Sequence, residues 1–178
     1  MSAVESLPAG RPDAQIARPT FAAIAAAHLD DVYRYLLYLT KDGSLAEDLT
    51  ADTFEHALRR WRRFDPKRGS ARTWLCQLAR TTALDHFRAD ARRRRREDRY
   101  AREEAGSAEP PTPTGLSEAL ERGLTSLSAS EREVIALRVV LELEGAEAAR
   151  ILGISQTACS TRLSRALQHL KEEMTRDD

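Results

Sequence analysis

Residues 59–102 hold sixteen basic side chains against five acidic ones, a net charge of +11, with Trp61, Phe64, Trp74 and Phe87 among them. Arginines beside aromatic faces suit unpaired nucleic acid, where bases stack on rings and cations follow the phosphates. The loop 62–71 joins cationic side chains to a flexible backbone and could receive an extruded base. Helical spacing makes Trp74 and Phe87 core candidates, whereas Trp61 and Phe64 fit either role. The flanks are acidic, net −5 over residues 1–58 and net −6 over 103–178, so an overall charge of zero conceals strong segregation. A block this positive sets up a local potential to which a polyanion responds, although a solvated basic face is the plainer reading.

A second set of side chains lies in EAARILGISQTACSTRLSRALQHL, residues 147–170, which has the form of a helix-turn-helix. Gly153 can take the left-handed backbone angle that ends the first helix, and Ser155 can cap the second. On that second helix Cys159, Leu163, Ala166, Leu167, Leu170 and Met174 share a stripe expected to face a core. The opposite face offers Gln156, Thr157, Ser160, Thr161, Ser164, Arg165 and Gln168, the short and hydrogen-bonding side chains that a helix in a major groove requires. Glu142, Glu144 and Glu147 stand close by and repel phosphates, so this lobe needs help from elsewhere to hold duplex. A third surface is the acidic stretch LAEDLTADTFE at 45–55. Glu47, Asp48 and Asp52 there either favour a helix dipole or form a docking face for a basic protein, and charge alone leaves both open.

No constellation supports covalent chemistry. The four histidines share no metal-ligand spacing with cysteines or carboxylates, Asp85-His86 has no nucleophile beside it, and no glycine-rich phosphate loop occurs. Cys76 and Cys159 fall on apolar faces and read as small hydrophobes. Neither a secretory signal nor the roughly 18–20 apolar residues of a membrane span is visible. The expectation is a cytoplasmic, non-enzymatic chain with no cofactor, no metal and no small-molecule substrate.

The elements that must position these groups read as all-α, in two small helical domains joined by a Pro-rich flexible linker. Residues 1–19 form a disordered tail, 20–97 a first lobe, 98–115 a linker, 116–174 a second lobe with the helix-turn-helix, and 175–178 a tail. In the first lobe one helix begins at Phe21 and is broken by Gly43 and Ser44. A second crosses 46–64, and a third starts near Ala71 and fades into 92–96. The linker carries EEAGSAEPPTPTG, 103–115, with three of the seven prolines and no large apolar side chain. Its 13 residues can extend to roughly 45 Å. In the second lobe, Leu116 to Leu127 form a short helix, and Ser128 with Glu131 fits a capping box opening the next. Another helix over 147–152 ends at Gly153, and the last runs from Gln156 to Met174.

AEDLTADTFEHALRRW at 46–61, GSARTWLCQLARTTALDHFRADARR at 69–93 and the helix-turn-helix together resemble bacterial RNA polymerase sigma factors. Two helical lobes with only a linker between them look like the extracytoplasmic-function subfamily. The resemblance implies a dissociable subunit that directs core RNA polymerase to specific promoters and assists DNA opening. It makes 20–97 similar to sigma region 2 and 116–174 similar to region 4. On matching positions, Glu47, Asp48, Leu49, Thr53, Phe54 and Trp61 would bind core polymerase. Arg62, Arg63, Phe64, Lys67, Arg68, Arg80, Asp85 and Arg88 would melt and read the minus-10 element as single strand. Gln156, Ser160, Thr161, Arg162, Ser164 and Arg165 would read the minus-35 element as duplex. The resemblance also implies an anti-sigma partner, often a membrane-anchored one. The chain departs from the family pattern at Thr157-Ala158-Cys159-Ser160, where Gly-Thr-Val and a cation are usual, and at Glu144, where a Ser or Thr cap is usual. A stand-alone helix-turn-helix regulator predicts tight duplex binding without polymerase, and a protein-binding adaptor predicts no nucleic-acid affinity at all.

Overall fold

The computed structural model describes residues 19–100 and 118–175, and every regular element among them is helical. α1, Phe21–Thr40, opens on Thr20, whose hydroxyl accepts from the Ala23 N–H at 3.2 Å. It ends where Lys41 enters the left-handed region at φ 56°. Asp42 then caps α2, Gly43–Arg60, by accepting from the Leu45 N–H. Gly43 and Ser44, expected to break the chain, are therefore the first turn of α2. The break falls two residues earlier because the Lys41 backbone and the Asp42 cap supply it. α2 also stops before residue 64, giving way to a 3₁₀ turn at Trp61–Arg63 and a second at Pro66–Arg68 capped by Asp65.

α3 spans Ala71–Tyr100 and does not fade at 92–96 as expected. Arginine is among the better helix formers, and Asp90 pairs with Arg93 at 2.6 Å and with Arg94 one position further on. The second lobe contains α4 (Glu118–Ser126), α5 (Ala129–Ile135), a π-helical turn (Ala136–Val140), α6 (Gly145–Leu152) and α7 (Gln156–Met174). Ser128 and Glu131 form the expected reciprocal capping box. Glu144 precedes α6 without a side-chain cap, Gly153 turns at φ 69°, and Ser155 caps α7 through the Ala158 N–H.

Tyr35, Leu36, Leu75 and Cys76 are fully buried among α1–α3, and Val134, Leu137, Cys159 and Ala166 among the later helices. These residues belong to one continuous apolar cluster. α3 packs on α6, and α1 packs on α5 and the π-helical turn, so the two lobes share a seam. Burial pushes the Cys76 thiol up to about 12 and raises that of Cys159, which keeps both protonated as small apolar groups. Of the expected tails and linker, residues 1–18, 101–115 and 176–178 lie outside the described residues. No helix among the described residues is long and apolar enough to cross a membrane.

Candidate nucleic-acid interface

α7 presents an unobstructed polar face. Gln156, Thr157, Ser160, Thr161, Ser164, Arg165 and Gln168 are all exposed, while Cys159 and Ala166 are buried on the other side. Arg162 is half-buried. It lies with Arg165 in a cleft between the starts of α5 and α7, lined also by Ser128, Ser130 and Ser155. Two helix N-termini and two guanidinium groups there favour an anion, against one carboxylate, Glu131. The apolar stripe is narrower than expected. Leu167 is 43% and Met174 38% exposed, because Leu167 lies about 100° round the helix from Ala166 and Met174 sits on the last turn.

The front lobe is less open. Arg62, Arg63, Lys67 and Arg68 are exposed on the two 3₁₀ turns. Phe64, expected among the strand-reading residues, is only 8% exposed. Its ring stacks on Trp61 at 5.2 Å and lies 5.0 Å from Trp74, while Phe21 meets Trp61 edge-on at 5.6 Å. The turn between α2 and α3 closes over this aromatic cluster, so Phe64 shapes the loop and is not free to stack on a base. Phe87, expected in the core, is instead 39% exposed, seven residues and two turns along α3 from Arg80. It is the aromatic side chain that spacing alone assigned to the wrong place. Asp85 and Arg88 pair at 3.1 Å in solvent.

On α2, Glu47 and Asp48 are exposed together with Asp52 and Glu55. Leu49 and Thr53, expected to touch polymerase, are buried, and the Thr53 hydroxyl donates to the Leu49 carbonyl at 2.7 Å. They fall on the helix face that packs against α1 and α3, so their part is to hold the acidic face outward. Phe54 and Trp61 are half-buried.

Polar side chains in the first three turns of α3 reach the rear lobe. Arg80 pairs with Glu133 of α5 at 3.0 Å. Thr73 and Ser70 both donate to Glu147 Oε1 of α6, at 2.7 and 3.1 Å. Arg72 forms a bidentate pair with Asp31, 2.7 and 2.8 Å, and donates to the Leu141 carbonyl at 2.8 Å. Thr73 first, then Ser70 against partial burial, hold the Glu147 carboxyl below its ordinary range. Burial would raise Asp31, but Arg72 and His28 outweigh it and lower its pKa. The hydroxyls of Tyr35 and Tyr38 are buried with no hydrogen-bond partner among the described residues, each costing about 1–3 kcal/mol.

A family model described as Sigma-70 region 2 matches residues 24–94, and one described as Sigma-70, region 4 matches residues 117–170. The ECF RNA polymerase sigma factor BldN of Streptomyces coelicolor is 33% identical over 174 residues, 96% of this chain but 64% of BldN. The ECF RNA polymerase sigma factor SigM of Bacillus subtilis is 32% identical over 150 residues, 81% of this chain and 88% of SigM. Among solved structures, the sigma factor RpoE of Bartonella quintana, in complex with the anti-sigma factor NepR, has a TM-score of 0.72 at 24% identity. That match covers 89% of this chain and 98% of RpoE, and it is a likeness of fold.

Proposed function

This chain belongs to the ECF RNA polymerase sigma factors, and we propose how its two lobes divide the work of directing core polymerase to a promoter. The acidic face of α2, with Glu47 and Asp48 outward and Phe54 at its edge, docks on the polymerase. Arg62, Arg63, Lys67 and Arg68 on the turns, with Arg80, Asp85, Arg88 and the exposed Phe87 on α3, take the opened minus-10 strand. Unstacking costs a few kcal/mol per step, and captured bases and neutralised phosphates offset it, so no covalent step and no cofactor is assigned to the chain.

The rear lobe lays α7 in the major groove at the minus-35 element, with Gln156, Ser160, Thr161, Ser164 and Arg165 toward base edges and Arg162 toward phosphate. The segment 101–117 that joins α3 to α4 makes the second engagement intramolecular, so two weak contacts sum to useful affinity. The anti-sigma protein in the RpoE complex suggests a regulator of the same class for this chain, which acts in the cytoplasm.

The observation that carries this reading is the ordered pair of region 2 and region 4 matches, in a chain whose α7 polar face is open to solvent. A stand-alone helix-turn-helix regulator gives the first of those matches no role. Run-off transcription with core polymerase and fragmented genomic DNA tests it: discrete transcripts that depend on this protein are expected. A transcript pattern identical to that of core enzyme alone would count against it.

A further inference from the structure

α3 runs well past the body it packs in. Ala83 is its last buried residue, and none of residues 84–96 is buried. The helix ends at Tyr100, so residues 84–100 carry it about 25 Å further at ~1.5 Å each. That stretch includes Arg88 and the unbroken run Arg92–Arg96, and helical register divides these arginines between two faces. Arg93 and Arg94 lie on one side and pair with Asp90, Arg93 at 2.6 Å. Arg88, Arg92, Arg95 and Arg96 fall within about 100° on the other side. Arg92, Arg95 and Arg96 pair with no carboxylate among the described residues, and Asp85, bonded to Arg88 at 3.1 Å, stands at the root of their face. Like charges one turn apart, Arg88 with Arg92 and Arg92 with Arg96, destabilise a helix, and a row of external anions removes that repulsion.

Duplex DNA fits this row. Guanidinium groups recurring with each ~5.4 Å turn can each meet a separate phosphate of a strand whose charges recur every ~3.4 Å along the duplex axis. The row offers cations without an aromatic ring or a short polar side chain among them, which is charge for a backbone and not a reader of base edges. It is turned about 120° from the stripe of Arg80 and Phe87 and begins ~18 Å along α3 from Arg80, so it faces away from the strand-reading site. From Tyr100 the chain goes on to the rear lobe, so with both lobes on a promoter the end of α3 lies toward the duplex between them. The region 2 match stops at residue 94, and the row runs past it.

We propose that Arg92, Arg95 and Arg96, on the free-standing end of α3, grip the phosphate backbone of the closed duplex between the two promoter elements, whatever its sequence. The place on the promoter rests on the minus-10 and minus-35 assignments made above, and the affinity for duplex does not. The grip adds a third contact, independent of sequence, between two that read bases. Asp90 sharpens it by holding Arg93 and Arg94 to the far side of the helix, which confines the unpaired charge to one face.

The test is fluorescence anisotropy of the full chain with a mixed-sequence duplex of about 30 base pairs, read from ~50 to ~200 mM NaCl. Arg92→Gln/Arg95→Gln should lower the slope of log affinity against log salt by about 2, at ~0.9 per phosphate contact, and weaken binding about tenfold at ~100 mM. Glutamine is close to arginine as a helix former, and circular dichroism checks that α3 persists. Arg93→Gln/Arg94→Gln removes the same charge from the Asp90 side and should leave the slope near the parent value. Equal slopes in all three proteins overturn the proposal and leave the row to an acidic protein partner. Equal loss in the two variants, or no duplex binding by the parent, overturns it as well. In the complex with core polymerase, hydroxyl-radical footprinting should show backbone protection between the two elements that fades in Arg92→Gln/Arg95→Gln, and protection that persists overturns the placement. A single strand of about 20 bases reports on the minus-10 assignment separately. Unchanged binding of it by Arg62→Gln/Arg63→Gln would remove that assignment and leave the duplex slopes to stand on their own.

Discussion

α3 and α7 are the two helices on which the nucleic-acid assignments rest, and they meet their neighbours differently. α7 rests on α4, α5 and α6 along one side, so its polar side faces water and its periodicity reads true. α3 is buried on two sides: Leu75, Ala79 and Ala83 are in the core, and Arg72, Thr73, Gln77 and Arg80 bond to the rear lobe. A polar stripe therefore means an open face on α7 and a lobe seam on α3. Charge and polarity mark a surface that binds something, and only packing tells whether the partner is another molecule or another part of the chain.

The most severe way to break this comparison is through the core the two lobes share. Leu137→Ala, at a fully buried position in the turn that packs on α1, should cost about 3 kcal/mol and lower one common melting transition. Calorimetry resolving two transitions, with only one displaced, would mean the lobes fold independently. Asp48→Arg on the open face of α2 should weaken association with core polymerase by about 2 kcal/mol or more, some thirtyfold, with the helical circular dichroism unchanged. Undiminished co-purification would remove α2 from the docking surface.

Arg165→Ala should cost ~1–3 kcal/mol of minus-35 recognition, read as loss of the upstream part of a footprint while the opened region persists. Indistinguishable footprints would show that the open face of α7 does not read there. Ser128→Ala removes half of the α5 capping box and should cost about 1 kcal/mol in thermal stability, with strand binding unaffected. The smallest effect is on pH. Glu147 has a lowered pKa where it accepts from Thr73 and Ser70, so its contribution to stability is fully present above the ordinary value of 4.5 and is lost as pH falls through the folded value. The thermal midpoint should fall on that acid limb, and Glu147→Gln should flatten the fall.

Much of the fold was legible because it is local. The capping box at Ser128 and Glu131, the left-handed turn at Gly153 and the cap at Ser155 each depend on residues within a few positions of one another. Several misread residues depend on partners further along the chain. Phe64 looked available until Trp61, Trp74 and Phe21 closed around it, and Phe87 looked buried because nothing in its spacing says that the body ends before it. Leu49 and Thr53 carry the right types for a docking motif but fall on the packed side of α2.

Sequence by itself determined the all-helical class, the caps at Ser128 and Ser155, the segregation of charge and the polar face of α7, because each follows from periodicity and near-neighbour hydrogen bonding. Tertiary structure alone decided that Arg80 meets Glu133 and Thr73 meets Glu147, contacts that join residues 53 and 74 positions apart. Such pairs arise from the packing of one lobe on another, and an anion on a helix carries no mark of which cation, its own chain's or a nucleic acid's, it will face.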